Sequence, residues 1–265
     1  FMIKKTILAL SVAAVMGACT SNSSEETLMG TVSLSLATTE GESFQTRALD
    51  ENSYRDVSKY TVDILQGSTV VKTYKGDALP KNEPLPFGTY TVHAYYGTQA
   101  AASRDNFLSE GTATLNLASG ERKTVNVTCA PTCGKAMVNF AADMAIYFNS
   151  YYVEYKTKAL GNGVAKWSET DTEPWYLLVD PAGETVTATI YLTPKEEYEI
   201  VKEGEEATST TTTVVRTYVL NPNKAWTLNI APNYHQTSGQ LSIEITIDES
   251  TNDKEQEIII PAEWI

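Results

Sequence analysis

Few residues in this 265-residue chain are of types that do chemistry. Cys129 and Cys133 stand four apart across Pro131. In an oxidising compartment they form either a small-loop disulfide or two buried thiols, because so short a loop has demanding geometry and restricts the unfolded chain little. Neither histidine lies near enough in sequence to complete a metal-ligand set with them. His93 falls in a β-prone run and His235 in a Pro/Asn-rich loop, neither beside a recognisable nucleophile and carboxylate, so both read as structural or solvent-exposed. Glu196-Glu197 and Glu205-Glu206 are sequence neighbours in one loop. Glycoside hydrolysis needs two carboxylates facing each other across a cleft, so these pairs read as a solvated face. No phosphate-cradling or dinucleotide motif is present. The expectation is a protein that is not an enzyme, with no cofactor and no metal.

Aromatic side chains are the second group. Tyr147, Tyr151, Tyr152, Tyr155, Trp167, Trp175 and Tyr176 cluster in the second half of the chain. Exposed aromatics stack on sugar rings or anchor protein partners, and strand aromatics equally pack cores. Trp167, Trp175 and Tyr176 are the candidate contact residues for a ligand or partner. Acidic residues (33) outnumber basic ones (20), for a formal net charge of −13. That balance repels nucleic acid and anionic membrane surfaces at long range.

The N-terminal segment reads as an address. Lys4-Lys5 precedes the apolar run 7–15, and Met16-Gly17-Ala18 brings small residues up to Cys19. That order, over residues 1–18, is a secretory signal peptide, too short to span a bilayer permanently. Met2 is read as its start. A cysteine after Gly-Ala resembles the lipobox of bacterial lipoproteins, in which the thiol (here Cys19) is acylated and anchors the chain in the membrane. Residues 19–28 are a polar tether, and Glu25-Glu26 reads either as an acidic surface-export signal or as a solvated linker.

Beyond the tether the pattern has period two. Val32, Leu34 and Leu36 alternate with Thr31, Ser33 and Ser35, the mark of a half-buried strand. Similar runs follow at 60–65, 69–74, 89–96, 112–117 and 123–128, then at 135–140, 151–157, 175–179, 185–192, 213–220, 225–231, 240–247 and 257–260. Short helical turns are expected near 50–57 and 141–148. The connections at 66–68, 118–121 and 221–224 read as hairpin turns. Several features recur in the same order, as Leu85-Pro86-Phe87-Gly88-Thr89-Tyr90-Thr91-Val92 and Val179-Asp180-Pro181-Ala182-Gly183-Glu184-Thr185-Val186 do. The expected fold is all-β, with two tandem antiparallel β-sandwich domains of transthyretin-like or Ig-like kind at 29–130 and 131–265.

Taken with Thr46-Arg47-Ala48 and the ending Ile258-Ile259-Ile260-Pro261-Ala262-Glu263-Trp264, these features resemble fimbrillin-like lipoproteins. More closely, they resemble a family of cell-adhesion lipoproteins of gut Bacteroidetes. The resemblance implies an outer-membrane protein facing the cell exterior, engaged in adhesion or built into a pilus as subunit or tip component. Fimbrillin-type pilins lose their first strand to a trypsin-like protease and accept a neighbour's strand in its place. The matching parts here are the strand 29–36, a polar loop and the Arg47-Ala48 bond, and the apolar tail 257–265 is either a donor strand or an edge strand. The alternative function is a glycan-binding surface lipoprotein of a polysaccharide-uptake system. Partners are thus the membrane through the lipid, other pilin or adhesin subunits, or host or dietary glycans or proteins.

Overall fold

A computed structural model describes residues 28–39, 50–198, 210–237, 240–249 and 252–258. The chain is all-β. Its first strands are β1 (Met29–Thr38), β2 (Thr61–Gln66), β3 (Thr69–Lys75), β4 (Glu83–Pro86), β5 (Gly88–Gly97), β6 (Ala102–Ser103), β7 (Leu108–Leu117) and β8 (Arg122–Pro131). Alternation decides which face each strand buries. On β5, Tyr90, Val92 and Ala94 are buried, and on β2 so are Val62 and Ile64. The β2–β3 turn needs Gly67, whose φ of 60° disfavours a side chain. The helical turns expected at 50–57 are two short 3₁₀ helices, Glu51–Tyr54 and Val57–Lys59.

The seven longer strands run in the order β3-β2-β5-β7-β8-β1-β4. The 118–121 connection is not an ordinary hairpin, because β7 and β8 form ladder pairs only at the far end, Ser109 with Pro131 and Glu110 with Ala130. Toward the turn the strands part, so that β8-β1-β4 lies over β3-β2-β5-β7. Their inward side chains, among them Val32, Leu34, Val62, Ile64, Tyr90, Val92, Leu115, Val125 and Val127, make one core. The first strand is parallel to β8 and antiparallel to β4.

The second half contains β9 (Cys133–Phe140), the single helical turn α1 (Met144–Tyr147), β10 (Phe148–Lys156), β11 (Ala165–Ser168), β12 (Trp175–Leu178), β13 (Glu184–Pro194), β14 (Thr212–Leu220), β15 (Ala225–His235), β16 (Gln240–Glu249) and β17 (Asn252–Ile258). One sheet runs β11-β10-β13-β14 and the other β17-β16-β15-β9-β12-β6. Both face a core that includes Val138, Val153, Tyr155, Trp167, Leu177, Val186, Ile190, Leu228, Ile230 and Ile243. The hairpin expected at 221–224 is absent: β14 and β15 belong to different sheets, and the turn carries the chain across the core. In both places the apolar faces of the two strands oppose each other across a core instead of lying side by side.

The pairing of the first half is repeated in the second. The pair β1 and β8 corresponds to β9 and β15, both parallel. The pairs β1–β4, β2–β3, β2–β5 and β5–β7 correspond to β9–β12, β10–β11, β10–β13 and β13–β14, all antiparallel. Two short strands, β6 and β11, and the Pro-containing β4 escape a reading of the sequence by alternation. The smallest of them, β6, leaves the first half and pairs with β12 of the second.

Candidate functional site

Residues 98–107 are the excursion that carries β6 across. Gly97 starts it with φ 85°, and a Cβ there would meet the Phe107 carbonyl oxygen at 1.9 Å. Next to β6, Arg104 reaches the β11–β12 connection. Its guanidinium donates to the Glu173 and Lys166 carbonyls and to Asp171 Oδ2 (2.8 Å). It also lies 4.3 Å from the centroid of the Trp175 ring and 5.2 Å from that of Trp167. The planar cation thus satisfies carbonyls at its rim and aromatic rings at its face.

This arrangement decides the three candidate contact aromatics. Trp167 and Tyr176 are each 1% exposed, and Trp175 is half-buried with its indole N–H donated to the Lys166 carbonyl at 2.9 Å. They do not form one exposed platform. Trp167 faces the second core, while Tyr176, on β12, faces the first half. Of the other aromatics in the cluster, Tyr155 is buried, whereas Tyr147, Tyr151 and Tyr152 are half-buried.

Tyr176 belongs to a contact that sequence reasoning missed. It packs with Tyr54, Phe107 and Cys133 in a small apolar cluster between the halves. Its hydroxyl donates to Glu51 Oε1 at 2.5 Å, and Lys135 Nζ donates to the same oxygen at 2.8 Å. Lys135 is fully buried and Glu51 nearly so. Burial holds the Lys135 amine below its usual range against the pull of Glu51, and pushes the Tyr176 hydroxyl far up. The one hint in the sequence was a lysine inside the apolar run of β9. Tyr60 ties in the first half: its O–H donates to the Tyr54 carbonyl (2.7 Å), and its oxygen accepts from the Ser109 hydroxyl (2.8 Å).

Cys129 and Cys133 are buried and unbonded to each other in this structure, the arrangement of the buried-thiol alternative. Cys129 points into the first core and Cys133 into the contact between the halves, so the strands aim them at different places. Burial pushes the Cys129 thiol up to about 12 and that of Cys133 higher still, which makes both poor nucleophiles. His93 Nε2 lies 2.8 Å from Glu110 Oε2 on the outer face of β5 and β7, and His235 is exposed. Glu196 and Glu197 are exposed. Cys19, Glu25, Glu26, Arg47, Ala48, Glu205, Glu206 and the tail 259–265 lie outside the described residues. Among the described residues no group of three His, Cys, Asp or Glu is placed to hold a metal ion, and no helix is long and apolar enough to cross a membrane.

A cleft of about 660 Å³ opens between the halves, lined by Glu110, Pro131, Lys158, Asp180, Glu184 and Pro222 among others. Its charges are engaged within the chain. Lys158 Nζ pairs with Asp180, and Glu184 accepts from the backbone N–H groups of Lys158 and Asp180.

No curated protein matches this sequence. Among solved structures, a candidate adhesin from Bacteroides ovatus is 12% identical with a TM-score of 0.46, over 86% of this chain and 96% of that one. A candidate polysaccharide-binding protein from Bacteroides thetaiotaomicron is 11% identical with a TM-score of 0.45, over 86% and 98%. A fimbrial assembly protein from Parabacteroides distasonis is 9% identical with a TM-score of 0.43, over 87% and 100%. The family model described as Domain of unknown function (DUF4493) matches residues 29–262. The chain belongs to that family.

Proposed function

We propose that this chain is a non-enzymatic cell-surface lipoprotein, anchored in the outer membrane through Cys19, that serves adhesion or fimbrial assembly and joins neighbouring subunits by exchange of its first strand. In this reading residues 29–130 and 131–265 are two tandem transthyretin-like sandwiches, and the Arg47–Ala48 bond is the processing site.

The observation that carries the proposal is the seat of β1. It lies between β8 and β4, in register with eight residues of β8 and four of β4. Val32 and Leu34 project into the core at 0% and 7% exposure. Main-chain hydrogen bonds of this kind are open to any strand, and alternate side chains set the register. Withdrawing β1 would leave two strand edges and an open core, which favours a replacement strand. The corresponding seat in the second half is held by β9, which follows β8 after one residue, and the stretch 141–147 after β9 contains no Arg or Lys. In the sequence, the stretch 39–50 that follows β1 carries Arg47.

The test is the N-terminus and assembly state of surface protein from cells expressing the full chain. Intact mass and N-terminal sequencing should find a form beginning at Ala48 within a ladder of denaturant-resistant oligomers. Arg47→Ala should abolish both. Acylated Cys19 as the sole N-terminus, with no ladder, would overturn strand exchange.

A further inference from the structure

The aromatic group that the fold leaves half-open is not the one that stands out in the sequence. Tyr147 at the end of α1, Tyr198 in the 3₁₀ turn Glu196–Tyr198 and Tyr234 near the end of β15 meet at one end of the second half. Their ring centroids are 4.9 Å (Tyr147–Tyr198), 5.4 Å (Tyr198–Tyr234) and 5.5 Å (Tyr147–Tyr234) apart. Two of the three pairs are edge-to-face, a packing that leaves apolar ring surface available to other partners. All three rings are half-buried, and Ile146 beside them is exposed. Among the described residues their hydroxyls have no hydrogen-bond partner.

The backbone holds this triad firmly. Lys195 N–H donates to the Tyr147 carbonyl and Lys195 Nζ to the Ala145 carbonyl, while Tyr198 N–H donates to the Lys195 carbonyl. The triad also sits at the far end of the unit. Strand β9 starts at the Glu51–Lys135 contact with the first half and runs roughly 25 Å to Phe140, which leads into α1. The triad is therefore on the end turned away from the first half.

We infer that Tyr147, Tyr198 and Tyr234 form a binding site for a neutral glycan. Sugar rings present C–H faces flanked by hydroxyls, which phenol rings with free O–H groups match on both counts. The neighbouring charges are the Lys195 amine, held on the Ala145 carbonyl, and the exposed Asp143, Glu196 and Glu197 carboxylates, so acids outnumber bases here as on the chain as a whole, whose net charge is −13. That field disfavours sialylated or sulfated chains and leaves uncharged ones unaffected. Three phenols each no more than about a third exposed offer at most roughly 250 Å² together, the size of about one sugar ring. A stable protein interface needs roughly 800 Å² a side, so a protein partner fits the patch less well. This inference does not depend on strand exchange, since the triad is remote from β1.

The experiment is affinity electrophoresis of the full mature chain in gels containing glucomannan, dextran or desialylated mucin, with sialylated mucin as the charged comparison. Retardation is expected on at least one neutral glycan and should fall at least tenfold in Tyr198→Ala and Tyr234→Ala. Tyr198→Phe, which keeps the ring and the fold, should lose less than Tyr198→Ala yet remain measurably weaker than the parent. Glycan should also slow nitration of these tyrosines in the parent, a readout that needs no variant. Absence of retardation on all three neutral glycans would overturn the inference. So would binding unchanged by the folded tyrosine variants, or preference for the sialylated mucin. None of these outcomes bears on processing at Arg47.

Discussion

Lys135 Nζ lies 2.8 Å from Glu51 Oε1, joining two residues 84 positions apart in a place that water does not reach. The pair links the 3₁₀ turn after residue 50 to the first strand of the second half, with Tyr176 as a second donor to the same oxygen. Removing one partner strands the other as an uncompensated buried charge. Lys135→Met or Glu51→Leu alone should therefore destabilise by about 3–5 kcal/mol. The double variant should recover much of that, because the buried charges leave together. Urea unfolding of the four proteins gives the coupling energy directly, and strictly additive losses would count against this account.

Arg104 should behave as a clip between the halves. Arg104→Ala removes three hydrogen bonds and the contacts with Trp167 and Trp175, and a loss of roughly 2–3 kcal/mol is expected. Arg104→Lys should restore little, since an ammonium cannot reproduce the planar fork. Limited proteolysis should then cut within residues 98–107 sooner than in the parent.

Stability should fall steeply in alkali. Burial raises the phenols of Tyr60 (to about 12), Tyr155, Tyr176 and Tyr218, and the Cys129 thiol to about 12. A group whose folded value lies above its unfolded one contributes fully below the unfolded value. That contribution is lost as pH rises toward the folded value. The window therefore opens near pH 9 with the cysteine and near pH 10 with the tyrosines. Each group loses roughly 1.4 kcal/mol per pH unit across its gap. Lys135 is held low and pulls the other way below about pH 10, but it is one group against five. Thermal midpoints measured from pH 7 to 11 should drop beyond pH 9.5, and a flat profile would contradict the burial of these phenols.

Neither fold cysteine should react in the native protein. With dithionitrobenzoate, Cys129 and Cys133 should be silent until denaturant is added and should then titrate as two thiols. Mobility on gels should not change with reductant. A native preparation without those two thiols would show instead that they pair.

The strands, the all-β class and the acidity of the surface were written in local pattern. Period-two alternation names the face that each strand buries, so residues such as Val32, Val62 and Val92 are assigned inward by their spacing alone. Alternation does not say which strand lies beside which. For that reason the turns at 118–121 and 221–224 look like hairpins in sequence, although they carry the chain from one sheet to the other. Likewise a tryptophan on a strand reads the same whether it meets solvent or an opposing sheet, and only packing put Trp167 and Tyr176 inside. Apart from the lysine inside the apolar run of β9, the Glu51–Lys135 pair, the Arg104 clip and the Tyr147–Tyr198–Tyr234 triad have no local signature. Each brings together side chains from separate elements, and the tertiary structure alone creates that proximity.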